Sequence, residues 1–164
     1  MSEAAVAASV RIAPAQGAAD IAVVRDLFRE YAGGLGVSLC FQGFDEELET
    51  LPGAYAPPRG ILLLARCSGS IAGCVGLRPL DDERGEMKRL YLRPRFRGSG
   101  LGRRLAEAVI AAARATGYRS LVLDSLATMQ EARALYDSLG FRPIPAYYDN
   151  PLPGVLYAAL DLAR

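Results

Sequence analysis

The chain has no histidine among its 164 residues. That absence excludes Ser-His-Asp and Cys-His triads, histidine-held zinc and a histidine general base. Acid–base chemistry therefore falls to carboxylates, tyrosine, cysteine, lysine or water. Cysteine is scarce: Cys40, Cys67 and Cys74 form an odd set without the paired CxxC spacing of zinc or redox sites. They read as small buried hydrophobes in a reducing compartment. No run reaches the about eighteen apolar residues needed to cross a bilayer. The start, Met1 to Ser9, carries Glu3 and has neither the basic nor the long apolar region of a signal peptide. The expected location is cytoplasmic, with no membrane partner and no metal.

An excess of one charge is missing too. Nineteen Lys and Arg stand against eighteen Asp and Glu, for a net charge of +1, so no global field points to nucleic acid or an anionic surface. Hydrophobic residues at 51% and charged residues at 23% exclude a disordered chain. Area scaling gives roughly 7,900 Å² exposed when folded against roughly 25,000 Å² unfolded, enough for a core without disulfides. The expectation is one domain over residues 1–164, with residues 1–8 a flexible tail.

Along the chain, Val10 to Ala13 is a short β-type stretch. Ile21, Val24, Leu27, Phe28 and Tyr31 recur at helical steps over Asp20 to Tyr31, and Asp45 to Leu51 is a second, short helix. Ile61 to Cys67 and Ile71 to Leu77 flank Ser68-Gly69-Ser70 as a hairpin, and Glu86 to Leu92 is a third strand. Leu101, Leu105, Ala108, Ala112 and Ala115 mark one face of a long helix. Leu121 to Leu123 then form a strand core with Asp124 at its end. Met129, Ala132, Leu135, Tyr136 and Leu139 make another helical stripe, capped by Gly140. Phe141 to Tyr148 and Val155 to Leu162 are the last strands. The order β-α-α-β-β-β-α-β-α-β-β is that of a mixed α/β (α+β) domain with an antiparallel start and an internal βαβ segment.

The stretch from Lys88 to Arg104 holds Lys88, Arg89, Arg93, Arg95, Arg97, Arg103 and Arg104 and no acidic residue. Inside it, Arg97-Gly98-Ser99-Gly100-Leu101-Gly102 lies between a strand and a long helix. Glycines allow a tight turn with unblocked amides, and the helix start adds unpaired N–H groups and a positive dipole end. Together they describe a phosphate cradle. It is neither a P-loop, for want of Gly-x-x-x-x-Gly-Lys-Ser/Thr, nor a dinucleotide fingerprint, because Arg103 stands where the third glycine belongs.

The spacing Arg-x-x-Gly-x-Gly, from Arg97 to Gly102, resembles the coenzyme A-binding motif of the GNAT superfamily of N-acetyltransferases. Glu86 to Pro94 resembles that family's central strand and its exit. Ala132 to Phe141 resembles its late A-x-x-L-Y-x-x-x-G-F element, and the likeness covers about residues 10 to 162. It implies a mostly antiparallel central sheet flanked by helices, acetyl-CoA as co-substrate, and transfer to a primary amine of a small molecule or peptide. Arg97, Gly98, Ser99, Gly100, Leu101, Gly102 and Arg103 would hold the pyrophosphate. The backbone of Leu90, Tyr91 and Leu92 would pair with the pantetheine arm.

Tyr136 reads from its periodicity as a core tyrosine. By resemblance it is the acid that protonates the departing thiolate. Glu86 is either a strand-end surface charge or, as the resemblance implies, a carboxylate near the acceptor amine. Tyr31, Tyr147, Tyr148 and Asn150 fall in the substrate-facing places of such a fold, or serve packing. The acidic group Asp45, Glu46, Glu47 and Glu49 reads as a solvated helix face. Met129 stands where many family members have an Asn that helps hold the cofactor. The cysteines lack activating partners, so transfer is expected to be direct, with both substrates bound. A non-catalytic acyl-CoA sensor or a nucleic-acid-binding module is the alternative. The clustering of the arginines around one turn weighs against nucleic acid. A homodimer is left open.

Overall fold

The computed structural model describes residues 9–39 and 43–163; the tail 1–8 and Cys40 lie outside them. The elements follow in the expected order: β1 (Val10–Pro14), α1 (Gly17–Gly34), α2 (Phe44–Thr50), β2 (Ile61–Cys67), β3 (Ser70–Pro79), β4 (Arg84–Leu92), α3 (Leu101–Thr116), β5 (Ser120–Ser125), α4 (Gln130–Ser138), β6 (Arg142–Pro143) and β7 (Leu156–Asp161). They build one seven-stranded sheet in the order β1-β2-β3-β4-β5-β7-β6. Every pairing is antiparallel except β4 with β5, which the α3 crossover makes parallel.

Side chains alternate across the sheet, and each face has its own core. Leu63, Ala65, Val75, Leu77, Leu121 and Leu123 pack on the side of α3, while Leu62, Leu64 and Cys74 pack with Val24, Leu27 and Phe28 of α1 and with Phe44 and Leu48 of α2. Cys67 and Cys74 are buried and unbridged, as their apolar surroundings imply.

Two expectations shift. The α3 face buries Val109, Ile110 and Ala113, whereas the stripe read from sequence ran through Ala108, Ala112 and Ala115; Ala115 is exposed. Continuing the i, i+4 step from Leu101 and Leu105 reaches Val109 and Ala113, with Ile110 beside Val109, and the two branched side chains bury more apolar area than alanines. The strand expected over Phe141 to Tyr148 is regular only at Arg142 and Pro143, opposite Ala159 and Ala158, with one further bond from Ile144 N–H to Tyr157 O at 2.9 Å. It lies at the sheet edge, and Pro145 has no N–H to continue the ladder. The chain then leaves the sheet as a loop whose tyrosines reach inward.

Candidate active site

β4 and β5 pair only over Arg84–Glu86 and Ser120–Val122. Beyond that point β5 continues to Ser125 along β7, while β4 runs on to Leu92 along β3, so the two strands diverge. A bulge in β4 sharpens the divergence. Cys74 faces Tyr91 and Gly76 faces Lys88, which leaves Val75 opposite both Arg89 and Leu90. Arg89 takes φ +61°, a left-handed conformation unfavourable for a side chain of its size. Its guanidinium is held by Glu47 on α2, with Nε donating at 3.0 Å and Nη2 at 3.2 Å. The Arg89 side chain is 2% exposed and that of Glu47 is 9% exposed. A charge-assisted bidentate pair offsets the backbone strain.

The cleft that opens between the strands is lined by Tyr31, Lys88, Arg89, Leu90, Asp124, Ser125, Met129 and Tyr136, among others. Tyr136 packs edge-on against Phe141 at 5.8 Å between centroids and is 7% exposed. Among the described residues its hydroxyl makes no hydrogen bond. Burial pushes its phenol well above the ordinary tyrosine range, aided by the nearby Asp124, so the group is a proton donor at neutral pH. Ser125 Oγ, in the same lining, is buried without a partner among the described residues.

One end of β4 abuts the glycine turn. Gly98 and Gly100 have φ +79° and +82°, a region costly to residues with a Cβ. Gly100 caps α3, and the first helical amide to find an acceptor is that of Arg104, 3.2 Å from Gly100 O. The amides of Leu101, Gly102 and Arg103 are thus presented at the helix start. Arg97 Nε donates to Leu92 O at 2.9 Å, which ties the turn to the strand end and leaves the rest of its guanidinium available. Ser99 Oγ donates to Phe96 O, and Arg103 donates to Ser138 Oγ on α4. Unpaired amides beside arginines, with no carboxylate in the turn, fit a diphosphate.

Not all of the basic run belongs to this cradle. Lys88 and Arg89 are turned inward, into a buried network of alternating charge. Arg78 donates to Glu86 Oε1 at 2.9 Å and to Glu47 Oε1 at 3.4 Å. Lys88 Nζ donates to Asp124 Oδ1 at 3.1 Å and stands 3.9 Å from Glu86 Oε2. Burial lowers the lysine below its ordinary range, although both carboxylates oppose the shift. Burial alone would raise Asp124, but Lys88 and a hydrogen bond from Tyr148 outweigh it and hold the carboxyl below the usual range. Arg93 pairs with Glu30 at 2.9 Å.

Glu86 is neither a surface charge nor part of the cleft lining. Its residue is 2% exposed, and Oε2 accepts from Tyr147 Oη at 2.6 Å while Oε1 is taken by Arg78. Tyr31 is in the cleft wall. Tyr147, Tyr148 and Asn150 fasten the loop after β6: Tyr148 Oη donates to Asp124 Oδ2 at 2.5 Å, and Asn150 Nδ2 donates to Tyr148 Oη at 2.9 Å. Met129 lines the cleft at the start of α4. The sequence reading missed Lys88, Asp124 and Ser125 as cleft residues. It also took Glu47 for part of a solvated face, though Asp45, Glu46 and Glu49 are indeed exposed. The available signal was Asp124 itself, an acidic residue ending an apolar strand core.

Residues 22–141 match the model of the Acetyltransferase (GNAT) family. An uncharacterised N-acetyltransferase of Schizosaccharomyces pombe is 42% identical over 140 residues, covering 84% of this chain and 86% of that one. An acetyltransferase from Streptococcus agalactiae superposes with a TM-score of 0.74 at 20% identity, over 93% of this chain and 98% of its own. An acetyltransferase from Salmonella typhimurium, solved with its cofactor acetyl-CoA, gives a TM-score of 0.67 at 20% identity, over 94% of each chain. Among the described residues no helix is long and apolar enough to cross a membrane, and no group of His, Cys, Asp and Glu could hold a metal ion.

Proposed function

The chain belongs to the GNAT acetyltransferase family, and on that premise we propose that it transfers the acetyl group of acetyl-CoA to a primary amine of a small molecule or peptide, with both substrates bound at once. The observation that carries the reading is the cleft between the diverging strands, with Tyr136 and the unpartnered Ser125 hydroxyl in its wall, together with a diphosphate-type cradle past the end of β4.

Acetyl-CoA supplies an activated acyl thioester, whose sulfur leaves as a thiolate. Leu101, Gly102 and Arg103 bind its diphosphate through their amides, with Arg97 adding charge. The β4 backbone over Leu90, Tyr91 and Leu92 has no β5 partner and offers an edge for the pantetheine amides. A backbone N–H of β4 over Leu90 to Leu92 would polarise the carbonyl. Tyr136 Oη releases its proton towards the sulfur. Tyr31 walls the acceptor side. In this reading Glu86 works from behind the cleft, setting the positions of Lys88 and Tyr147.

A thiol-release assay over a panel of amines tests the reading. Acetyl-CoA binding without thiol release from any amine would leave only an acyl-CoA sensor. The cradle is tested separately at Gly102, where an added Cβ would meet Leu92 Cδ1 at 3.7 Å and Leu135 Cδ2 at 3.9 Å, ordinary contacts that the fold accepts. Gly102→Val should weaken acetyl-CoA binding at least about tenfold in calorimetry, with little change in melting temperature. Gly100 is a poorer probe, because its positive φ strains any replacement. Undiminished affinity in Gly102→Val removes the loop from the binding site.

A further inference from the structure

We infer that Asp124 is the group that takes the proton from the acceptor nitrogen, held for that purpose by Tyr148, Asn150 and Lys88; the inference rests on the acetyl-transfer reading above.

Asp124 is two residues past the last β4–β5 pair and so stands inside the divergence. It lines the same cleft as Tyr136, which Glu86 does not. Its two oxygens are each fixed by one donor: Tyr148 Oη on Oδ2 and Lys88 Nζ on Oδ1. Each carboxylate oxygen has a second lone pair, so acceptor capacity remains on both. Tyr148 is oriented in turn by Asn150, whose Oδ1 accepts from the Leu152 amide at 2.9 Å. The loop after β6 thus holds Asp124 Oδ2 through Tyr148, beside its second anchor from Tyr147 to Glu86. The charged and titratable groups around Asp124 are Lys88, Glu86 and Arg89 from β4, Tyr147 and Tyr148 from the loop, Tyr157 from β7, Tyr136 from α4 and Tyr31 from α1.

The proton balance closes. The amine enters neutral, and its lone pair forms the C–N bond as the C–S bond breaks and sulfur keeps the pair. Tyr136 gives the sulfur a proton, and the nitrogen, acidified by its new bond, gives one to Asp124. Solvent then returns a proton to the tyrosinate and removes one from the acid. A carboxyl held below its usual range cannot deprotonate a free alkylammonium of pKa about 10. The acidic limb of the rate therefore belongs to the amine, and Asp124 acts only after attack has begun.

The test uses methylamine and the less basic 2,2,2-trifluoroethylamine with the full chain. The acidic limb should move down with the amine's basicity. Asp124→Asn should lower kcat at least about 100-fold at every pH without moving that limb, while acetyl-CoA affinity by calorimetry is unchanged. Formate should restore turnover in Asp124→Ala. Tyr148→Phe, which keeps the ring packed on Tyr147 and Tyr157, should lose about tenfold in kcat, within the loss expected for one buried donor. A wild-type rate in Asp124→Asn, no rescue by formate, or a limb that vanishes in Glu86→Gln would overturn the inference. Failure of the wild-type chain to acetylate any amine is the separate failure of the reading beneath it.

Discussion

Tyr136→Phe should lower kcat by about 100-fold or more while leaving acetyl-CoA affinity and stability nearly unchanged. General acid catalysis contributes roughly 10²- to 10⁴-fold, or about 2.7–5.5 kcal/mol of barrier. The substitution keeps the ring against Phe141 and removes a hydroxyl that has no hydrogen bond among the described residues. Folding should therefore change by less than about 1 kcal/mol. A phenol is a poor acid for a thiolate of pKa about 8.5 in water. Burial raises the phenol here, and the same desolvation raises a thiolate placed beside it, so the gap in the cleft is not the gap in solution. Because the phenol is raised, no basic limb from Tyr136 should appear near neutral pH. The measurement is a pair of steady-state profiles with calorimetry and thermal melts. Retained turnover with a lowered melting temperature would make Tyr136 a core residue.

The order of elements was legible because hydrophobic periodicity and glycine punctuation are local. Ser68-Gly69-Ser70 between two apolar runs forces a hairpin whatever surrounds it, and β2 and β3 are joined there. The last strand was harder. Phe141 to Tyr148 is apolar and aromatic, yet the last bond to β7 is that of Ile144, because Pro145 has no N–H and Tyr147 and Tyr148 send their hydroxyls to Glu86 and Asp124. Nothing within eight residues says that a tyrosine will prefer a carboxylate more than twenty positions away.

The site divides the same way. The glycine turn was legible because its amides, dipole and arginines are contiguous in the chain. Lys88 and Arg89 were read with them, since a run of cations without acids looks like one surface. The strand alternation and the bulge turn these two inward, and their partners Asp124 and Glu47 are 36 and 42 positions away. Burial of an ion pair depends on which elements meet, and single-sequence patterns do not carry that information. Ser125 entered the cleft for the same reason: it lies where two strands separate, a feature of register, not of composition.

The second large effect follows from that distant pair. Glu47→Ala should destabilise the chain by about 3–5 kcal/mol, because it removes the carboxylate paired with the buried Arg89 guanidinium and a bond to the half-buried Arg78. For a domain of this size that is a fall on the order of 10 °C in melting temperature. The loss should also reach catalysis. Arg89 keeps φ +61° at the bulge that frees β4 from β3's register, and without Glu47 the strain has one compensating bond pair fewer. Stability and activity can be separated with the double variant Glu47→Leu, Arg89→Met. Replacing a buried ion pair by apolar groups is often neutral, so most of the melting temperature should return. Turnover should not, because a methionine at position 89 has no partner to hold the left-handed backbone open. If the double variant regains both, the bulge does not depend on the pair, and Glu47 serves the fold alone.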